Sequence, residues 1–203
     1  MKKYKVLVLG NDPQINNIDF ERLQKNVITL GVNRIWLKHI PNYFFFNDYD
    51  IVEELEKYPE IIAKLKTQST IFSSDWIKTE AKKRKSNIPQ WTTVFPRSTR
   101  HLFPDSVTTS LSLFSTKYLP LSECTFYIAG VSLIWQNPSH FWKDLDHSAL
   151  NSNGPTWYLP RFEKIKSNFK RLKDVGFEMV SVNPNSQLNK MMRYESINNL
   201  YKK

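Results

Sequence analysis

The chain has 203 residues, 40% of them hydrophobic and 14% aromatic, which is enough apolar material for one α/β domain with a full core and too much for a disordered chain. Basic residues outnumber acidic ones by 29 to 19, and a net charge of +10 favours an anionic partner: a nucleotide, a nucleic acid or a membrane surface. The single cysteine, Cys124, excludes an internal disulfide and a multi-cysteine metal centre, and no apolar run approaches the roughly 18 residues of a bilayer span. One cytoplasmic domain over residues 1–203 is expected, because residues 6–9 are too short for the apolar part of a secretion signal.

The first predicted element is a buried parallel strand over 4–9 that stops abruptly at Gly10-Asn11-Asp12-Pro13. In open α/β sheets ligands bind outside the carboxyl ends of the strands, so this turn is a candidate small-molecule site. It lacks the further glycines of a dinucleotide fingerprint and the Lys-Ser/Thr ending of a phosphate loop. Residues 27–32 read as a second buried strand ending at Asn33, and residues 43–46 as a third ending at Asn47-Asp48. Amides and carboxylates gathered at one sheet edge can hydrogen-bond the sugar and base of a nucleoside, although Asn and Asp are also ordinary turn residues.

A helix is predicted over 51–65, interrupted near Pro59, and a fourth strand over 69–73. Residues 75–91 carry the basic run Lys82 to Lys85 between Trp76 and Trp91, which suits either a nucleic-acid backbone or a solvated helix face. A further helix over 105–119 opens with Ser106-Val107-Thr108-Thr109-Ser110, a first turn able to cap itself or to receive a phosphate. The strand predicted over 125–129 stops at Gly130-Val131-Ser132. Residues 135–160, with several aromatics and both His140 and His147, form a connection long enough to be read as an active-site lid. Then come a basic amphipathic helix over 161–175 with Gly176 as its C-cap, a last strand over 177–182, and a short C-terminal helix.

The order of these motifs resembles the bacterial sialyltransferases that decorate lipooligosaccharide, and their motility-accessory and 6-hydroxymethylpterin diphosphokinase-like relatives. The resemblance rests on strand-Gly-Asn-x-Pro, strand-Asn, strand-Asn-Asp, a Ser/Thr-rich helix start, a strand ending Gly-Val-x, a His-bearing lid, and Asn183-Pro184-Asn185-Ser186. It implies a Rossmann-like α/β fold with a mostly parallel sheet flanked by helices, a lid, and a nucleotide-sugar donor used with inversion and without a metal or other cofactor. Carried over by position, Asn11 and Asn33 would hydrogen-bond the donor's nucleotide and sugar, Asn47 would help hold its phosphate or sugar, and Thr108 or Thr109 would sit near the sugar; Gly10, Asp12, Asp48 and Ser132, in the same loops, are further donor-site candidates. Trp135 and Tyr158 would lie by its phosphate, and His147 would be the base on the acceptor hydroxyl. Asp12 and Ser132 depart from the family's residues, and Trp135 would stack but not protonate a leaving group, which disfavours sialic acid as the sugar.

Glycosyl transfer asks for a base near neutral pH and for positive charge or donors on the leaving phosphate, which histidine and Arg97, Arg100, Arg161 and Lys164 could supply. The basic stretches suggest a polyanionic acceptor such as modified DNA or a phosphoglycan. Two alternatives stay open. A pterin-type diphosphokinase would use Asp12 and Asp48 to hold Mg²⁺, and a non-enzymatic nucleic-acid-binding module would rest on the charge alone. His39, His101 and Cys124 are read as structural.

Overall fold

In a computed structural model of the chain, residues 3–96, 105–135, 141 and 155–202 are described. They build one eight-stranded sheet: β1 (Tyr4–Leu9), β2 (Val27–Val32), β3 (Tyr43–Phe46), β4 (Thr70–Ser74), β5 (Thr93–Phe95), β6 (Cys124–Ala129), β7 (Met179–Ser181) and β8 (Arg193–Tyr194). The spatial order is β5-β4-β3-β2-β1-β6-β7-β8, and every pairing is parallel. Strands march outward from β1 in one direction and from β6 in the other, so the topological switch lies between those two neighbours.

The continuous apolar runs follow from coverage on both faces. In β1, Leu7 and Leu9 belong to one core cluster and Val6 and Val8 to the other. The first cluster packs under α1 (Asp50–Leu55), α2 (Pro59–Gln68) and α3 (Trp76–Lys83) through Ile51, Leu55, Leu65 and Ile77. The second packs under α4 (Ser106–Lys117) and α5 (Pro155–Asp174) through Leu111, Phe114, Phe169 and Leu172. Alternate residues therefore enter opposite cores, and both must be apolar.

The break expected near Pro59 is present: α1 ends at Leu55, and Pro59 opens α2 at a position where its missing N–H costs nothing. The basic helix expected to begin at Arg161 begins at Pro155 and runs through Pro160. Pro160 has no N–H to offer the carbonyl four residues back, yet the flanking turns continue the helix. In place of a C-terminal helix there are two single 3₁₀ turns, Gln187–Lys190 and Ile197–Leu200, separated by β8. Among the described residues no helix is long and apolar enough to cross a membrane.

Candidate functional site

The loops after β1 and β6 are fastened to each other at the switch. Gly10 N–H donates to the Ala129 carbonyl and Asp12 N–H to the Gly130 carbonyl, both at 2.9 Å. This approach requires glycine: a Cβ at residue 10 would stand 2.3 Å from the Gly130 oxygen and 2.7 Å from Val131 Cγ2. Gly130 itself has φ of +65°, where a side chain would be strained.

Asp12 caps the 3₁₀ turn Pro13–Asn17 and clasps the second loop with the same carboxylate. Its Oδ1 accepts from Gln14 N at 3.0 Å and its Oδ2 from Ser132 N at 3.2 Å. Three residues after Gly130, Leu133 sits at φ of +55°. A non-glycine side chain in that region marks local strain, and the residues held so include Asn33 at +52°, which opens the turn after β2.

Between these loops and the helices lies a cavity of about 280 Å³. Asn11, Asp12, Asn33, Asp48, Ser132, Tyr158 and Arg161 line it, so most of the expected donor-binding set does converge. Its apolar wall includes Val131, Leu133, Phe162 and Ile165. Two of the lining residues carry an unpaired acceptor. Asn11 Oδ1 and Asn33 Oδ1 are buried from solvent and have no hydrogen-bond partner. An unpaired buried acceptor costs about 1–3 kcal/mol, and a ligand donor removes that cost.

The orientation of the Asn33 amide is set by its neighbour. Its Nδ2 donates to Asp48 Oδ2 at 3.4 Å, and since a carboxylate accepts only, Oδ1 is left facing away. Asp48 opens to the cavity but lies in a concave site surrounded by protein. That desolvation pushes its carboxyl above the ordinary value, with Asp50 adding to the shift and Arg34 opposing it. Beneath this corner Arg34 Nε donates to both Glu54 oxygens at 3.0 and 2.8 Å in a buried ion pair, tying the turn after β2 to α1.

Asp105, which the residue pattern did not single out, also lines the cavity. It is the N-cap of α4: Oδ1 accepts from Thr108 N at 2.8 Å, and Oδ2 accepts from the Thr108 hydroxyl and from Asn168 Nδ2, the latter at 2.7 Å. Burial pushes its carboxyl up, against the pull of these hydrogen bonds. An N-cap aspartate looks the same in sequence whether it faces water or a cavity.

Other expected residues are placed elsewhere. Thr108 and Thr109 are buried and serve the cap, Thr109 N–H donating to the Asp105 carbonyl at 3.2 Å, so neither lines the cavity. Asn47 is buried too; its carboxamide oxygen accepts from the Ser74 hydroxyl and stitches the end of β3 to that of β4. Trp135 stands one ring away, 5.2 Å from Tyr158, which is in turn 6.0 Å from Phe162. Of the lid, Phe141 is fully buried and donates its N–H to the Asn11 carbonyl at 3.0 Å. His147, His140, His101, Arg97 and Arg100 lie outside the described residues.

The run at the end of α3 is partly spent on the protein's own acids. Arg84 pairs with Glu53 at 2.8 Å and with Asp50, and Lys83 pairs with Glu80 at 2.7 Å. His39 stacks on Phe20 at 4.4 Å, and burial lowers its pKa to about 4, so it is neutral at physiological pH. Burial pushes the Cys124 thiol up to about 11, as expected of an inert core residue. Among the described residues no group of three or more His, Cys, Asp or Glu side chains converges as a metal site does.

No family model and no curated protein sequence matches the chain. In shape it is similar to the Campylobacter jejuni sialyltransferase CstII in complex with cytidine-5′-monophosphate, at 13% identity and a TM-score of 0.60, over 100% of this chain and 88% of that one. A second CstII structure, with a trisaccharide acceptor and CMP, gives 14% identity and a TM-score of 0.61 over 98% and 88%. An apo α-2,3-sialyltransferase from Campylobacter jejuni gives 14% and 0.56 over 99% and 83%. The sheet order, the cavity at its switch point and these likenesses agree: the chain has the α/β fold of the Campylobacter sialyltransferases.

Proposed function

We propose that the protein is a glycosyltransferase that takes a sugar from a nucleotide-activated donor. The observation that carries this reading is the cavity at the switch point lined by Asn11 and Asn33, each of which has a buried, unpartnered Oδ1. A nucleoside sugar presents hydroxyl and amino donors at the spacing of such a crevice, and this is where open α/β sheets bind ligands. The shared fold supports the assignment, since solved relatives of that fold hold CMP and a trisaccharide acceptor.

In the reaction proposed, an acceptor hydroxyl attacks the anomeric carbon from the face opposite the nucleotide, with inversion and without a metal. The new C–O bond forms as the glycosyl–phosphate bond breaks, and its electron pair leaves on the phosphate. His147 takes the hydroxyl proton. Arg161 stabilises the phosphate charge and the Tyr158 hydroxyl donates to it; that both residues line the cavity supports these roles. The acceptor is proposed to be polyanionic, such as modified DNA or a phosphoglycan, because from Arg161 the helix α5 continues with the exposed cations Lys164, Lys170 and Arg171.

Calorimetry and thermal shift with cytidine and uridine nucleotides and their sugars test the reading. A ligand at 100 times its Kd stabilises the protein by about 2.7 kcal/mol, a clear rise in Tm. If every such ligand leaves Tm unchanged and yields no heat, nucleotide-sugar chemistry is excluded.

A further inference from the structure

The charges around the cavity restrict which sugar it can hold. We propose that the donor sugar is neutral or amino-bearing, and that the cavity rejects sugar acids, including sialic acid. This rests on the nucleotide-sugar reading above and narrows it.

Three carboxylates, from Asp12, Asp48 and Asp105, line the cavity, and among the described lining residues one cation, Arg161, faces them. A carboxylate bound in this cavity would share it with three like charges. The leaving phosphate already calls on Arg161, so among the described lining residues a second ligand anion meets no further cation.

The place where a helix would ordinarily welcome an anion is also filled. The N-terminus of α4 opens on the cavity at Ser106 and Val107, but the carboxylate there is the protein's own. Asp105 accepts from Thr108 N–H, from the Thr108 hydroxyl and from Asn168 Nδ2. The anion-binding end of α4 is thus occupied by the protein's own carboxylate, whose partners Thr108 and Asn168 are themselves buried.

Two lining residues add acceptors without a partner. Asn33 is nine-tenths buried and gives its Nδ2 to Asp48 while its Oδ1 is buried and unpaired, and the Oδ1 of Asn11 is likewise buried and unpaired. Acceptors such as these are complementary to hydroxyl and ammonium groups and repel a carboxylate. The upward shift of the Asp48 carboxyl points the same way, since surroundings that penalise its charge penalise a ligand's charge too.

The test compares donors that differ in one carboxylate. Calorimetry on the intact protein would use UDP, UDP-glucose and UDP-glucuronate, and in parallel CMP and CMP-sialic acid. UDP-glucose should bind at least tenfold more tightly than UDP-glucuronate, and CMP-sialic acid more weakly than CMP. Asp48→Asn and Asp105→Asn should each shrink these ratios by threefold or more. Asp48 lies on the open side of the cavity, so that variant tests the point even if the Asp105 variant fails to fold. A sugar acid bound as tightly as its neutral partner overturns this inference and leaves the nucleotide-sugar reading standing. Failure of every nucleotide and nucleotide sugar to bind overturns both.

Discussion

Replacing Asn33 with glycine should separate what this residue does for the fold from what it does for a ligand. In the ligand-free protein its buried Oδ1 has no partner, at a cost of about 1–3 kcal/mol. Its backbone sits at φ of +52°, a region that asparagine tolerates better than other non-glycine residues, so the further cost there is below the ~1–2 kcal/mol an alanine would meet. Asn33→Gly removes both penalties. Against that stand the greater freedom of glycine in the unfolded chain, about 0.5–1 kcal/mol, and the long 3.4 Å bond to Asp48, worth no more than about 0.5 kcal/mol. Urea unfolding should therefore show the free variant more stable by about 1 kcal/mol. Asn33→Ala keeps the backbone penalty and should fall about 1–2 kcal/mol below the glycine variant. Nucleotide or nucleotide-sugar binding by calorimetry should weaken in both by about 1–3 kcal/mol, roughly 5- to 150-fold. A glycine variant that is destabilised by more than ~1 kcal/mol while binding normally would refute the reasoning, because the oxygen would then be serving the fold.

Four further outcomes test other parts of the structure. Gly10→Ala should destabilise the protein by about 1–3 kcal/mol in urea unfolding, since the atom met at 2.3 Å is backbone and cannot swing aside; a change within ~0.5 kcal/mol would contradict the close approach. Arg34→Met should cost about 3–5 kcal/mol by leaving Glu54 buried and unpaired, and the double variant with Glu54→Leu should recover most of it. His39 has a folded pKa of about 4 against an ordinary 6.5, so its contribution to stability is full above pH 6.5 and is lost as pH falls towards 4. His39→Gln should flatten that part of the stability–pH curve, and an unchanged slope would show that His39 is not the source. His147→Ala should slow transfer by about 10²–10⁴-fold with donor binding retained, and a normal rate paired with a slow His140→Ala would move the base to His140.

How much of this was readable in the chain depends on whether the signal is local. The strands β1, β2, β3, β4 and β6 announce themselves because both faces are covered, so each carries consecutive apolar residues. Strands β5 and β8 do not. Thr93-Val94-Phe95 and Arg193-Tyr194 are short edge strands, half-buried or exposed, and carry no apolar run to read. The Asn and Asp residues at strand ends are visible as a series, but not their directions. Asn11 and Asn33 face the cavity, whereas Asn47, at the end of the next strand, is taken by Ser74. The resemblance set Asp12 among the donor-holding residues; what it could not tell is that the oxygens of Asp12 receive the amides of Gln14 and Ser132. That second amide comes from residue 132, and no local pattern joins two loops so far apart in sequence.

The topology explains why the cavity forms where it does. After β1 the chain leaves towards β2, and after β6 it leaves towards β7, so the two loops part and expose the ends of two central strands. Left alone, such a parting would be loose. Here Gly10 and Gly130 bring the backbones into contact, and Asp12 bridges them with one carboxylate. The closure holds Leu133 at a positive φ, while Asn33, at the end of β2, sits in the same backbone region with its amide oxygen unpaired. Unpaired acceptors and positive-φ side chains each lower stability, and a fold selected for stability alone would replace them with glycine or an apolar residue. Asn33 combines both penalties in one wall of one cavity, which is what a site waiting for a hydrogen-bond-donating ligand requires. If that is their purpose, saturating donor should protect the backbone amides of the turns at Asn33 and Leu133 from hydrogen exchange more than those of β6. Equal protection across the sheet would mean that the strain serves something other than the ligand.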